Sequence, residues 1–199
     1  MSRSLKIAVA DDERDMRDYF QRILPLLGHK VVAAAQTGRE LVELCAKSHP
    51  DLVITDIKMP DMDGIDAAAE IYRQAAIPVI LVSAYHDAEF IRRTEADHIM
   101  AYLVKPIKQA DLEPAIGIAM RRFEQFQELH KETSDLKQAL KDRKVIEKAK
   151  GILMKKTGLD ENDAFRRLQK LASDKNRKLI DIAQTILTAE EAFEPPHRP

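Results

Sequence analysis

The sequence predicts an α/β unit built on a parallel sheet, followed by a long helix and a small bundle of helices. Three observations carry that expectation. Five short apolar runs alternate with longer amphipathic stretches up to about residue 117. From about Asp111 the pattern turns helical and stays so for more than forty residues. The charge also changes sign along the chain: residues 1–117 carry 14 Lys+Arg against 19 Asp+Glu, and residues 118–199 carry 18 against 14.

The apolar runs are KIAVA (6–10), KVVAAA (30–35), DLVIT (51–55), PVILVS (78–83) and AYLVK (101–105). Runs this short and this apolar suit strands covered on both faces by the helices between them. The long helix follows. Pro114 is tolerable in its first turn, and Gly117 lowers helix preference only locally. Between residues 126 and 140, Phe126, Leu129, Thr133, Leu136 and Leu140 recur at spacings of three and four among charged residues. Two heptads are a short coiled coil, and a helix lying on its own domain has the same pattern; pairing of two chains is the favoured reading. Gly158 reads as a helix stop and Asp160 as the N-cap of a second helix, with Asp163 three residues on. That helix, ENDAFRRLQKLASD, places Ala164, Phe165, Leu168 and Leu171 on one face, with Phe165 in the core. A third, RKLIDIAQTILTAEEAF, offers Leu179, Ile182, Ala183, Ile186 and Leu187, and EPPHRP is expected to be a disordered tail.

Composition excludes several classes of protein. The 199 residues are 45% hydrophobic, enough for a globular core, and no run of about 18 apolar residues is available to span a bilayer. The start MSRSLKIAVADDE lacks a signal-peptide pattern, so a cytoplasmic protein without a membrane partner is expected. The one cysteine, Cys45, can form no internal disulfide and is expected to be a buried structural thiol.

Three strands end on residues with chemistry: Asp56 after DLVIT, Ser83 closing PVILVS and Lys105 closing AYLVK. Asp11 and Asp12 follow the first strand directly. The carboxyl ends of strands are where open α/β sheets bind ligands. Asp11, Asp12 and Asp56 offer oxygen ligands suited to Mg²⁺, which takes one or two carboxylates and keeps water. Asp56 could then attack a phosphoryl group as a carboxylate nucleophile, with the Lys105 ammonium and the Ser83 hydroxyl facing the phosphoryl oxygens. The plainer reading, that Asp11 and Asp12 only cap the next helix, accounts for any one acid but not for five such residues at four strand ends.

Residues 4–117 resemble the receiver domain of two-component response regulators. VADDE matches the acidic pair, TDIKMPDMDG the phospho-acceptor loop, VSA the hydroxyl position and YLVKP the lysine position. The resemblance implies a flavodoxin-like, doubly wound five-stranded parallel sheet of order 2-1-3-4-5. It further implies Mg²⁺ held by Asp11, Asp12, Asp56 and the backbone carbonyl of Lys58, and phosphorylation of Asp56 by a sensor histidine kinase. Ser83 and Tyr102 would be the switch residues, and Lys105-Pro106 a cis bond. The competing class is a phosphatase that turns over an aspartyl phosphate. Such enzymes carry a second acid two residues after the nucleophile, and here that position is Lys58. No GxxxxGK[ST] loop cradles a nucleotide, and His86 and His98 read as surface histidines. A switch rather than an enzyme is expected, with at most slow loss of its own phosphate.

Residues 142–182 hold 12 Lys+Arg against 7 Asp+Glu, a concentration that can bind phosphate backbones or form a solvated face. Composition alone leaves RNA, DNA and protein outputs open. Residues 138–193 resemble the ANTAR module, a three-helix RNA-binding domain of transcription antiterminators, through VIEKAKGILM, LDENDAFRRL and RKLIDIA in order. That resemblance implies binding to RNA hairpins in a nascent leader, acting indirectly on the RNA polymerase elongation complex. Lys148, Lys150, Lys155, Arg166, Arg167 and Arg177 are the basic residues chosen for RNA contact, and small residues at Ala149, Gly151, Ala164 and Ala183 would allow close packing or close approach of RNA. The expected organisation is a receiver at 4–117, a helical linker at 118–141, the RNA-binding domain at 142–193 and a tail at 194–199. A homodimer would form on activation. DNA-binding or protein-interaction outputs are the alternatives.

Overall fold

The computed structural model describes residues 4–84 and 99–193; the expectations for His86, His98 and the 194–199 tail fall outside them. Strands β1 (Lys6–Ala10), β2 (Lys30–Ala35), β3 (Leu52–Asp56), β4 (Val79–Ser83) and β5 (Ile99–Val104) form one sheet in the order β2-β1-β3-β4-β5, and all four pairings are parallel. Helices α1 (Arg14–Leu26), α2 (Gly38–Ser48) and α3 (Gly64–Gln74) connect the first four strands. Helix α4 (Gln109–Thr157) follows β5, then α5 (Glu161–Asp174) and α6 (Leu179–Phe193).

Strand alternation explains the two-sided core. Ile7, Val9, Leu52, Ile54, Ile80 and Val82 point to one face, where they meet Phe20 and Leu24 of α1 and Leu112, Ile116 and Ala119 of α4. Ala8, Ala10, Val53, Val79 and Leu81 point to the other, against Leu41 and Cys45 of α2 and Ile65, Ala68 and Ile71 of α3. Small alanines in β1 on this second face let α2 and α3 pack close. Each fully buried Leu, Ile or Phe contributes roughly 1.5–3 kcal/mol of transfer free energy. Cys45 is buried, as expected, and burial pushes its thiol up to about 12.

Three strands are offset from the sequence expectation. β3 runs one residue later, so that Asp56 is its last residue rather than the one after it. β4 begins at Val79 because Pro78 has no N–H for the ladder, although its carbonyl still accepts from Val53 N at 3.0 Å. β5 begins two residues earlier than expected and ends at Val104, leaving Lys105 just past the strand. Pro114 is the sixth residue of α4 rather than part of its first turn, and the helix runs through it.

The chain divides into two compact units, residues 1–128 and 129–199. In the second, Ala149, Leu168, Ala172, Ile182 and Ala183 form a core onto which Val145, Ile146, Leu153, Leu171, Leu179, Ile186 and Leu187 pack. Gly158, at φ +69°, ends α4, and Asp160 Oδ1 accepts from Asp163 N at 2.8 Å to start α5. Phe165 corrects the sequence reading: it is 37% exposed, and Ala172 takes its expected place in the core. A helical face through Ala164 and Leu168 continues to Leu171 and Ala172, and Phe165 is a further 100° round.

Candidate functional site

The register of β1 on β3 pairs Ala10 with Thr55, so the residues that follow, Asp11 and Asp56, lie side by side at the carboxyl edge of the sheet. Lys105 reaches the same place from the end of β5, fixed by its N–H donating to Ser83 O at 2.9 Å. Its ammonium stands 2.9 Å from Asp56 Oδ1, 3.0 Å from Asp11 Oδ2 and 3.2 Å from Glu13 Oε1. The Lys105-Pro106 bond is cis, as expected.

Backbone groups hold the two acids. Asp56 Oδ2 accepts from Lys58 N at 2.6 Å, and Asp11 Oδ1 accepts from Glu13 N at 2.9 Å, so Asp11 also serves the start of α1. Gly64 closes the loop beneath Asp56. A Cβ there would lie 3.0 Å from the Asp56 carbonyl carbon and 3.2 Å from Thr55 Oγ1, with the Asp56 carbonyl oxygen nearer still. Only glycine lets α3 begin this close to β3.

Burial pushes the carboxyls of Asp11 and Asp56 above the usual carboxylate range, and the Lys105 ammonium pulls each back down in part. Burial acts to lower Lys105 in turn, but its contacts with Asp56 and Asp11 outweigh it and hold the lysine above its ordinary value. Among the described residues, Asp11 Oδ2 is the buried side-chain oxygen that has an ion pair, with Lys105, but no aligned hydrogen bond. Carboxylate oxygens of Asp11, Asp12 and Glu13 lie within 4.8 Å of one another. A buried carboxylate oxygen with no hydrogen bond, beside further oxygen donors, fits a hard divalent cation.

The structure therefore brings together Asp11, Asp12, Asp56, Lys105 and Ser83, the last buried at the end of β4. It joins Asp56 to the acid pair through Lys105 rather than within the group of three carboxylates. Tyr102 is 39% exposed on β5. Sequence reasoning missed Glu13, whose side chain folds back to Lys105. It also missed Arg17, whose guanidinium donates to the carbonyls of Asp11 at 2.7 Å and Asp12 at 3.0 Å and so clamps the acidic loop. Arg17 lies one helical turn beyond Glu13, and that spacing was the available signal.

Among the basic residues chosen for RNA, Lys148, Lys155, Arg166, Arg167 and Arg177 are exposed. Lys150 is the exception. It is 8% exposed and its ammonium bridges Glu147 and Glu161, so its charge is spent joining α4 to α5.

An acidic pocket at the carboxyl edge of a doubly wound sheet, with a lysine from the last strand, defines a receiver-type signalling module. The family models agree: the response regulator receiver domain matches residues 7–117 and the ANTAR domain residues 134–187. The transcriptional regulatory protein PdtaR of Mycobacterium tuberculosis is 38% identical over 182 residues, 92% of this chain and 89% of its own length. HptR of Staphylococcus aureus is 34% identical over 118 residues, 58% of this chain and 46% of its own. A receiver domain protein from Clostridium thermocellum superposes with a TM-score of 0.55 at 30% identity, covering 60% of this chain and 96% of that one. The chain belongs to the response regulators that join a receiver to an ANTAR domain, and its output is RNA-binding antitermination. It is a signalling regulator. No described helix is long and apolar enough to cross a membrane.

Proposed function

We propose that Asp56 is the phospho-acceptor of a phosphorylation-controlled antiterminator. The observation that carries this is the Lys105 ammonium 2.9 Å from Asp56 Oδ1, beside the buried carboxylate of Asp11. An Asp56 oxygen attacks the phosphorus of a phosphohistidine on a sensor kinase; the new O–P bond replaces the P–N bond, and the imidazole leaves with its electron pair and takes a proton. Lys105 neutralises the oxygens of the incoming group, and Ser83 offers its hydroxyl to them. Asp11, Asp12, Asp56 and the Lys58 carbonyl would hold Mg²⁺, which when bound neutralises charge on the phosphoryl oxygens. Lys58 offers no carboxylic acid to activate water, so hydrolysis is limited to slow loss of the protein's own phosphate. Tyr102 turns inward as Ser83 moves toward the phosphate.

Phosphorylation shifts the receiver toward a state in which two chains pair, and Leu129, Leu136 and Leu140, all exposed on α4, supply the apolar seam. Two RNA-binding domains then engage two hairpins in a leader transcript in the cytoplasm, gaining affinity through effective concentration. The transcribing polymerase meets no terminator. The receiver spans residues 4–117, the helical linker 118–141 and the RNA-binding domain 142–193. The test is binding to a labelled tandem-hairpin leader across a salt series, with and without beryllium fluoride and Mg²⁺. Tighter binding and dimerisation in the activated state, both abolished by Asp56→Ala, are expected; equal binding and self-association in both states would overturn the control mechanism.

A further inference from the structure

An open groove of about 380 Å³ in the second unit is lined by Lys148, Gly151, Ile152 and Lys155 of α4 and by Leu187, Glu190 and the exposed Glu191 of α6, so two carboxylates face it as well as two lysines. Gly151 is the unusual member. It lies inside a helix, where alanine has the higher helix propensity, and a Cβ added there would meet nothing within 4 Å. Neither packing nor backbone conformation asks for glycine at this position. By contrast Ala149, two residues away, is fully buried in the core.

The surroundings of that bare backbone are chemically ordered. Lys148 and Lys155 lie three residues before Gly151 and four after it, on the same side of the helix, and are about 10 Å apart along its axis. Ile152 and Leu187 are half-buried and apolar. Glu190 is 20% exposed and is held by Lys156 at 2.9 Å, so its carboxylate is positioned while keeping acceptor capacity. A fixed carboxylate repels a phosphate in the groove but accepts from an amine. The lysines at the rim do the reverse.

We infer that this groove reads one unpaired base of the bound hairpin. The flat base lies on Ile152 and Leu187, close against the Gly151 backbone; its exocyclic amine donates to Glu190, and the flanking phosphates meet Lys148 and Lys155. The site accepts adenine, cytosine or guanine and rejects uracil, which lacks that amine. The inference rests on the RNA-binding reading above.

The experiment uses the full chain with beryllium fluoride and Mg²⁺. Hairpins with randomised loops are selected on the wild-type protein, and each loop base of the best binder is replaced by an analogue lacking its exocyclic amine. At one position the replacement should weaken wild-type binding at least about tenfold and cost nothing further in Glu190→Ala, a double-mutant cycle between protein and base. Gly151→Ala should weaken binding at least about tenfold with a melting temperature no lower than wild type. That combination separates closure of the groove from damage to the fold. Wild-type affinity in Gly151→Ala, or an amine effect of equal size in both proteins, would overturn the groove and leave RNA binding standing. Failure to select any hairpin would overturn both.

Discussion

Replacing Gly64 with alanine should damage stability and phosphoryl acceptance together. The added Cβ would sit 3.0 Å from the Asp56 carbonyl carbon and 3.2 Å from Thr55 Oγ1, and the carbonyl oxygen is nearer. Every one of these atoms belongs to β3, which is hydrogen-bonded on both sides and cannot retreat. The start of α3 must therefore move, although Gly64 N donates to Ile57 O at 2.8 Å and Asp63 Oδ1 caps the helix through Asp66 N at 2.8 Å. Forced overpacking of this kind costs about 1–3 kcal/mol, and the upper end applies because the obstacle is backbone. With a urea slope of about 1–3 kcal/mol per molar, a 3 kcal/mol loss lowers the unfolding midpoint by roughly 1–3 M. A misplacement of about 1 Å at the acceptor carboxylate costs on the order of 10²-fold in rate. Urea titration followed by circular dichroism gives the first number, and radiolabel uptake from a small-molecule phosphoryl donor gives the second. A Gly64→Ala protein that unfolds at the wild-type midpoint and takes up label at the wild-type rate would refute the steric argument.

Asp11→Asn should abolish the rise in melting temperature caused by Mg²⁺, because it removes a carboxylate from the cation site while keeping an acceptor for Glu13 N. In the wild type that Mg²⁺ effect should shrink as pH falls, since protons compete for carboxylates whose affinity for them burial has raised. His29 is a separate pH determinant: its Nδ1 accepts from Leu5 N at 3.3 Å, and burial lowers its pKa. The folded state therefore resists protonation, and stability should drop as pH falls below about 6.5, the ordinary histidine value; denaturation curves at pH 7.5 and 5.5 should converge in His29→Gln. Leu168→Ala should cost about 2–5 kcal/mol in thermal melts of the second unit, and Phe165→Ala clearly less, because only Leu168 is fully buried. Equal losses would refute the exposed placement of Phe165.

The parts legible in the sequence are those fixed by local pattern. Strand alternation, the Asp160 cap and the Gly158 stop follow from neighbours a few residues away, and the acids at strand ends follow from topology once the strands are known. What escaped the sequence depends on how far a side chain reaches in space. Glu13 and Lys105 are 92 residues apart and meet only because α1 and β5 flank the same edge. Lys150 looked like any other lysine in a basic run until α5 brought Glu161 against it. Phe165 shows the limit of reading faces: a bulky apolar residue next to Ala164 invites assignment to the core, but a 100° step takes it out of the contact. For Gly151 the sequence allowed close packing or close approach of RNA, and the open space around it argues against the first.

The pairing of Ala10 with Thr55 has a consequence for how this protein can change over time. Asp11 and Asp56 are indexed to the hydrogen-bond ladder, not to each other through sequence. A residue inserted in the connection between α2 and β3 leaves both acids where they are, because it shifts neither the strand ladder nor the face of α2 that carries Leu41 and Cys45. One residue inserted within Val53–Thr55 would turn every following side chain to the opposite face and remove Asp56 from Lys105 at a stroke. Tolerance to insertion and deletion should therefore fall abruptly at the strand boundaries, whatever the hydrophobicity of the residue added.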